Sequence, residues 1–204
     1  MNSQSPDQVA LDLFREHGGT LRTSKALRLG IHPRTLYALR DSGALQQLSR
    51  GLYRLGELPP LSHPDLVIVA HKVPQAVICL VSALAFHGLT TQVPHAVDVA
   101  LRANSSQPTL AYPPLRTFWF SGPAWSEGIE THTMDDTPVH IYNPAKSVAD
   151  SFKYRRKLGL DIALEALRLY RKRRDFQVDT LLRYARVCRV EKVMRPYLEV
   201  VLSN

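Results

Sequence analysis

The residues best suited to chemistry in this sequence are ones that read nucleic acid. Arg34, Thr35 and Tyr37 follow directly on His32-Pro33, and Arg50 stands in the tight run Ser49-Arg50-Gly51. An arginine guanidinium pairs with the edge of guanine, and a threonine or tyrosine touches a thymine methyl, a base edge or a phosphate. An arginine on a turn tip enters a minor groove or grips a phosphate. Lys25 and Arg28 lie just upstream and are phosphate candidates. With His32, which opens the helix carrying Arg34, these seven positions form the expected DNA-binding set.

A second group is basic throughout. Lys153, Arg155, Arg156 and Lys157 precede Gly159, and Arg168, Arg171, Lys172, Arg173 and Arg174 follow on the next helical stretch. Some of these cations offset the negative pole of a helix C-terminus. Their number exceeds what capping needs, which points to a surface for DNA phosphates or for an acidic face of a protein partner. Lys153, Arg155, Arg156, Lys157, Arg171 and Arg173 are the expected contacts.

Other constellations are weaker. Ser82 and His87 lie five apart on one helical stretch and do not face each other; His87 beside Gly88 reads as a helix end, where a partly positive imidazole suits the dipole. His132 and His140 flank Asp135-Asp136, a pattern worth testing for metal, but aspartate is an ordinary turn residue. Asp98, Asp150 and Lys146 have the residue types of a metal-dependent nuclease, yet nothing in their spacing requires one. Asp150 reads more simply as an exposed or capping carboxylate paired with Lys153 or Tyr154. Cys79 and Cys188 are too far apart in sequence for a disulfide framework or a zinc motif, and each is expected to fill apolar space. There is no glycine-rich phosphate loop. The expectation is therefore no catalytic residue, no metal and no cofactor.

The elements that must position the reading residues are legible from spacing. Val9, Ala10, Leu13 and Phe14 predict a first helix, capped by Asp7 and stopped at Gly18-Gly19. Thr23-Ser24 starts a second, short helix that ends at Gly30. His32-Pro33 opens a third, which runs to about Ser42, with Leu36 and Leu39 packing on Leu27, Leu29 and Ile31. Arg34, Tyr37, Ala38 and Asp41 then face outward, with Thr35 at the edge. Leu45 to Leu48 and Leu52 to Leu55 predict a hairpin around Ser49-Arg50-Gly51. Two helices joined by a tight turn, followed by a hairpin, predict a winged helix-turn-helix over residues 1–56 that binds duplex DNA.

Residues 57–64, rich in proline, predict a linker, and residues 65–204 a second, α+β domain. Helical signals cover 65–72 and 75–87. Candidate strands fall at 97–101, 118–120, 129–134 and 139–142, and short links between them suggest a mostly antiparallel sheet. From Asn143-Pro144 the chain reads helical, with breaks near Gly159, Asp175 to Gln177, and Val190. The composition agrees with an ordinary globular protein: 204 residues, 45% hydrophobic, 22% charged and a net charge of +8 that favours polyanionic partners. The polar stretch Met1 to Gln8 lacks a signal peptide's apolar core, and the apolar run from Ala76 to Phe86 is too short to span a bilayer, so a cytoplasmic location is expected.

The run from Ala26 through Leu29-Gly30-Ile31, Pro33-Arg34-Thr35-Leu36 and Gly43-Ala44-Leu45 to Arg50-Gly51-Leu52-Tyr53 resembles the N-terminal domain of the AbiEi antitoxin family. Cys79 to Leu84 with His87-Gly88-Leu89, and Ala145 to Arg155 with Gly159-Leu160-Asp161 to Ala166-Leu167, are similar to segments of the same family. The resemblance covers nearly the whole chain. It implies a type IV antitoxin that binds inverted repeats in its own promoter, represses its operon and counteracts a nucleotidyltransferase-like toxin, directly or only functionally. Two other readings stay open on the residues alone. One is a nuclease or nucleotide-processing enzyme delivered to DNA by the winged helix. The other is a regulator whose second domain senses a ligand.

Overall fold

The structure is a computed structural model that describes residues 5–203; Met1 to Gln4, part of the polar N-terminal stretch, lie outside the described residues. The chain divides into two compact units. The first holds the chain up to Pro74, with Leu110–Pro113 and Thr133–Pro138; the second holds Gln75–Thr109, Pro114–His132 and the chain from Val139 onward.

The first unit begins with α1, Pro6–Glu16. Its cap is Ser5, whose hydroxyl accepts from the Gln8 amide, while Asp7, the expected cap, sits in the first turn where its charge suits the positive pole. Strand β1, Thr20–Arg22, was not foreseen; three residues are too few to show a period of two. Helices α2, Thr23–Arg28, and α3, Pro33–Asp41, follow, then strands β2, Leu45–Ser49, and β3, Leu52–Leu55. β3 is the central strand, antiparallel to both β1 (Leu21 opposite Tyr53) and β2 (Gln46 opposite Arg54). Ala10, Phe14, Leu21, Ala26, Ile31, Leu36, Leu39, Leu45, Tyr53 and Leu55 form one core. Leu29 packs against it, whereas Leu27 is 41% exposed and is not one of its buried members. At two turns or fewer, α2 presents too narrow a face to bury Ala26 and Leu27 together.

Residues 57–64, expected as a linker, lie inside this unit. Gly56 donates its amide to the Ala44 carbonyl and passes so close to Gly43 that a Cβ would overlap the Gly43 carbonyl oxygen. Leu58 packs on the core, Glu57 pairs with Arg15 at 3.0 Å, and the buried Arg54 donates to the Leu58 carbonyl. Helix α4, Pro64–Lys72, completes the run.

The second unit is built on a five-stranded sheet in the order β6-β5-β4-β8-β7: β4 is Val77–Ile78, β5 Val97–Arg102, β6 Leu115–Phe120, β7 Ile129–Met134 and β8 Thr137–Tyr142. The helix expected over 75–87 is in fact strand β4 followed by α5, Leu80–Phe86. An apolar run of this length does not by itself distinguish strand from helix. The sheet is mixed, not mostly antiparallel. β4 runs antiparallel to β5, but β5 is parallel to β6 and β4 is parallel to β8. The stretch between β5 and β6, Ala103 to Pro114, has the length that a crossover to a parallel neighbour needs, which tight links would forbid. The two-residue turn Asp135-Asp136, with both residues at positive φ (46° and 61°), joins β7 to β8 as a hairpin.

Helices α6, Pro123–Ser126, α7, Pro144–Lys153, α8, Arg155–Leu158, α9, Leu160–Arg171, α10, Val178–Val187, and α11, Glu191–Ser203, complete the unit. Asn143 caps α7 by accepting from the Lys146 amide at 2.9 Å. Val148, Phe152, Leu167, Leu181 and Met194 centre the helical core. The fold class is α+β with a helical C-terminus, as expected. Among the described residues no helix is long and apolar enough to cross a membrane.

Candidate nucleic-acid interface

The turn between α2 and α3 is made by Gly30 at φ 91°, a left-handed position where a side chain would be strained. Gly30 and Ile31 donate back to the Leu27 and Ala26 carbonyls, and Ile31 is buried as the anchor of the turn. His32 caps α3: its Nδ1 accepts from the Arg34 amide at 3.2 Å, and Pro33 occupies the first helical position, where no amide is needed. Leu36 and Leu39 face the core, which turns Arg34, Tyr37, Ala38 and Asp41 outward, with Thr35 half-buried at the edge. The Arg40 guanidinium lies 5.2 Å from the Tyr37 ring centre and pairs with Asp41 at 2.7 Å. Tyr37, 45% exposed, thus offers its other surface to solvent. Lys25 and Arg28 are exposed on α2.

Arg50 is exposed at the tip of the β2–β3 hairpin, whose turn is closed by Gly51 at φ 71°. The wing is fixed on two sides. The Gly51 carbonyl accepts from the Thr23 amide at 3.0 Å, and the Lys72 ammonium donates to the Arg50 carbonyl. Arg22 in turn donates to the Lys72 carbonyl. Arg22 and Lys72 therefore join the cationic group around the wing, although nothing in the sequence marked them. Lys72 is held below the ordinary lysine range by burial, then by Arg22 and Arg50.

His71, half-buried beside them, has its Nε2 3.0 Å from the Thr137 hydroxyl. Burial, then Arg22 and Lys25, lower its pKa below the ordinary histidine range. A lowered histidine gives stability that is full above about pH 6.5 and is lost as pH falls through the folded-state value. The first unit is expected to melt at a lower temperature at about pH 5 than at pH 7, and a His71→Gln variant to show a shallower fall. An equally steep fall in the variant counts against His71 as the source.

The basic residues of the second unit divide. Arg156 and Lys157 are exposed, as is Arg171, whose guanidinium sits 5.5 Å from the Phe176 ring centre. Lys153 is half-buried with its ammonium 5.2 Å from the Phe120 ring centre. Arg155 donates to the Phe152 carbonyl at 2.8 Å. Arg173 grips Asp175 with two bonds and donates a third to the His87 carbonyl.

The remaining sets are committed within the fold. Asp98, fully buried, receives Arg116 at 2.6 and 2.8 Å and the Val81 amide at 3.1 Å. Asp150 is not an exposed carboxylate paired with Lys153 or Tyr154. It is fully buried, 2.5 Å from the equally buried Lys146 ammonium, and accepts from the Cys188 thiol at 3.1 Å. Lys146 also lies 4.0 Å from the Tyr142 ring centre. Ser82 accepts from the Asp98 amide. His87 ends α5, but burial lowers its pKa, so it is a neutral donor to the Tyr142 carbonyl at 2.8 Å rather than a cation on the dipole. His140 meets Thr131, and Asp135 accepts from Ser62. Among the described residues no group of three or more His, Cys, Asp and Glu is arranged to hold a metal ion.

The order helix, strand, two helices around a tight turn, and a two-stranded wing defines the first domain as a winged helix-turn-helix of the kind found in transcriptional regulators. Residues 8–56 match the family described as transcriptional regulator, AbiEi antitoxin. The chain is similar in fold to the crystal structure of the RV2827C protein from Mycobacterium tuberculosis, with a TM-score of 0.51 and 14% identity over 94% of this chain and 79% of that one. No curated protein matches the sequence.

Proposed function

We propose that the chain is a cytoplasmic, sequence-specific repressor of its own operon and the antitoxin of a type IV toxin–antitoxin pair, counteracting a nucleotidyltransferase-like toxin. The observation that carries the reading is the outward face of α3, with Arg34, Thr35 and Tyr37 ahead of a braced wing bearing Arg50, in a domain that matches the antitoxin regulators. Arg34 reads a guanine edge, Thr35 and Tyr37 read bases or hold phosphate, and Lys25, Arg28 and Arg50 grip the backbone. His32 shapes the start of α3, its capping nitrogen turned to the helix. Arg156 and Lys157 of the second unit supply further contacts, to DNA phosphates or to the toxin. Lys153, Arg155 and Arg173, bound as they are, serve chiefly to shape that surface. The reading assigns no catalysis to the chain and needs no cofactor.

Gel shifts on the chain's own promoter, with and without its inverted repeats, test the repressor half. The expected result is a complex that needs the repeats and whose affinity falls steeply with salt. Charge reversal at Arg156 and Lys157 is expected to weaken binding and lower the slope of log K against log salt by about two, since each phosphate contact contributes about 0.9. An unchanged slope removes these two residues from DNA. Growth rescue on co-expression with a neighbouring nucleotidyltransferase tests the antitoxin half; no rescue counts against it.

A further inference from the structure

A groove of about 470 Å³ lies in the second unit, and of the expected DNA or toxin contacts Arg171 alone lines it. One of its walls is apolar, formed by Leu164, Tyr197 and Val201; the other is cationic, formed by Arg168, Arg171 and Lys172. Leu164, Arg168, Arg171 and Lys172 recur on α9 and its C-cap at the spacing of one helix face. Val201 and Tyr197 come from α11, which packs beside α9.

The cations are the unusual part. All three are exposed, and among the described residues none is paired with a carboxylate, whereas Arg173, in the same run, is doubly bonded to Asp175. Phe176 lies against the Arg171 guanidinium at 5.5 Å and orients it without using its N–H groups. The negative pole of α9 favours one or two of these charges. Three like charges along one groove wall repel each other, and an anion lodged among them would relieve that repulsion. An inorganic anion would leave the apolar wall in water, and a neutral apolar molecule would leave the cations unanswered. A volume of this size suits a small molecule.

We propose that this groove binds a small amphiphilic anion: a carboxylate or phosphate head against Arg168, Arg171 and Lys172, with an aliphatic or aromatic body along Leu164, Tyr197 and Val201. The proposal does not rest on the DNA-binding reading, with which it shares only Arg171.

Titration of the full chain with decanoate, followed by calorimetry and by amide chemical shifts, tests it. The expected result is saturable binding at one site, with shifts concentrated on α9 and α11. Decan-1-ol and sulfate, which carry the body or the charge alone, are expected to bind at least about tenfold more weakly. An Arg168→Glu/Lys172→Glu variant, altered only at exposed side chains, is expected to lose about tenfold or more while keeping the parent's melting temperature. Non-saturable binding, equal binding of decan-1-ol, shifts centred elsewhere, or unchanged affinity in a folded variant would each overturn the proposal.

Discussion

An Arg34→Ala/Arg50→Ala double variant loses the sequence-specific gel shift on the chain's own promoter. A bidentate arginine contact with a base is worth about 1–3 kcal/mol of discrimination, so loss of Arg34 weakens specific binding by roughly ten- to a hundredfold, and loss of the Arg50 backbone contact weakens binding further and lowers its salt dependence. The two residues act from different elements, α3 and the wing, so their effects should combine nearly additively. Both side chains are exposed, so the melting temperature should stay within the range of ordinary surface changes, about 0.5 kcal/mol. Folded protein with intact, equally specific binding would remove this face as the reading surface.

Replacing Lys146 with methionine acts on stability instead. It leaves the Asp150 carboxylate fully buried, with the Cys188 thiol as its remaining side-chain partner. Breaking a buried ion pair on one side costs about 3–5 kcal/mol, a large part of the usual 5–15 kcal/mol of a folded protein. For a chain of this size that lowers the melting temperature by roughly 6–20 °C. Lys146→Met/Asp150→Leu, which removes both charges, should recover most of the loss.

The sign with pH follows from Asp150. Burial pushes its pKa up, and Lys146 is the main opposing influence. Without the lysine the folded-state value rises further, and a raised carboxyl gives stability that is present below its unfolded value and lost as pH increases. The deficit of Lys146→Met is therefore smallest near about pH 4 and largest near neutrality. A deficit that is the same at both ends would trace the loss to packing rather than charge.

What could be read in advance was local. His32-Pro33 and Asn143-Pro144 start helices through contacts two or three residues away, and Asp135-Asp136 makes its turn with its own backbone. The α3 face follows from Leu36 and Leu39, whose spacing settles which residues look outward. What escaped was set by distant partners. Lys146 and Asp150 stand four apart, the spacing of an ordinary solvated pair on a helix surface; only the burial of α7 makes them a core element, and Cys188 reaches Asp150 from α10's C-cap. In β5 all of Val97 to Leu101 are buried, Asp98 among them, and the charge of Asp98 is met by Arg116 from β6, a partner that its own sequence neighbourhood does not show. Lys72 lies beyond the expected linker, and no local signal ties it to the wing it braces.

The pairing of β4 with β8 also orders events during synthesis. The core around Phe14, Leu36 and Tyr53 draws only on residues that emerge early, with β3 as its last strand. β4 emerges soon afterwards but must wait for β8, on the far side of β5, β6 and β7, before its second edge is covered. At about 5–20 residues per second the wait is several seconds. The nascent chain can thus present a finished recognition helix while its second sheet still lacks a strand, and a mutation that delays that closure would prolong an aggregation-prone interval without touching the DNA-reading surface.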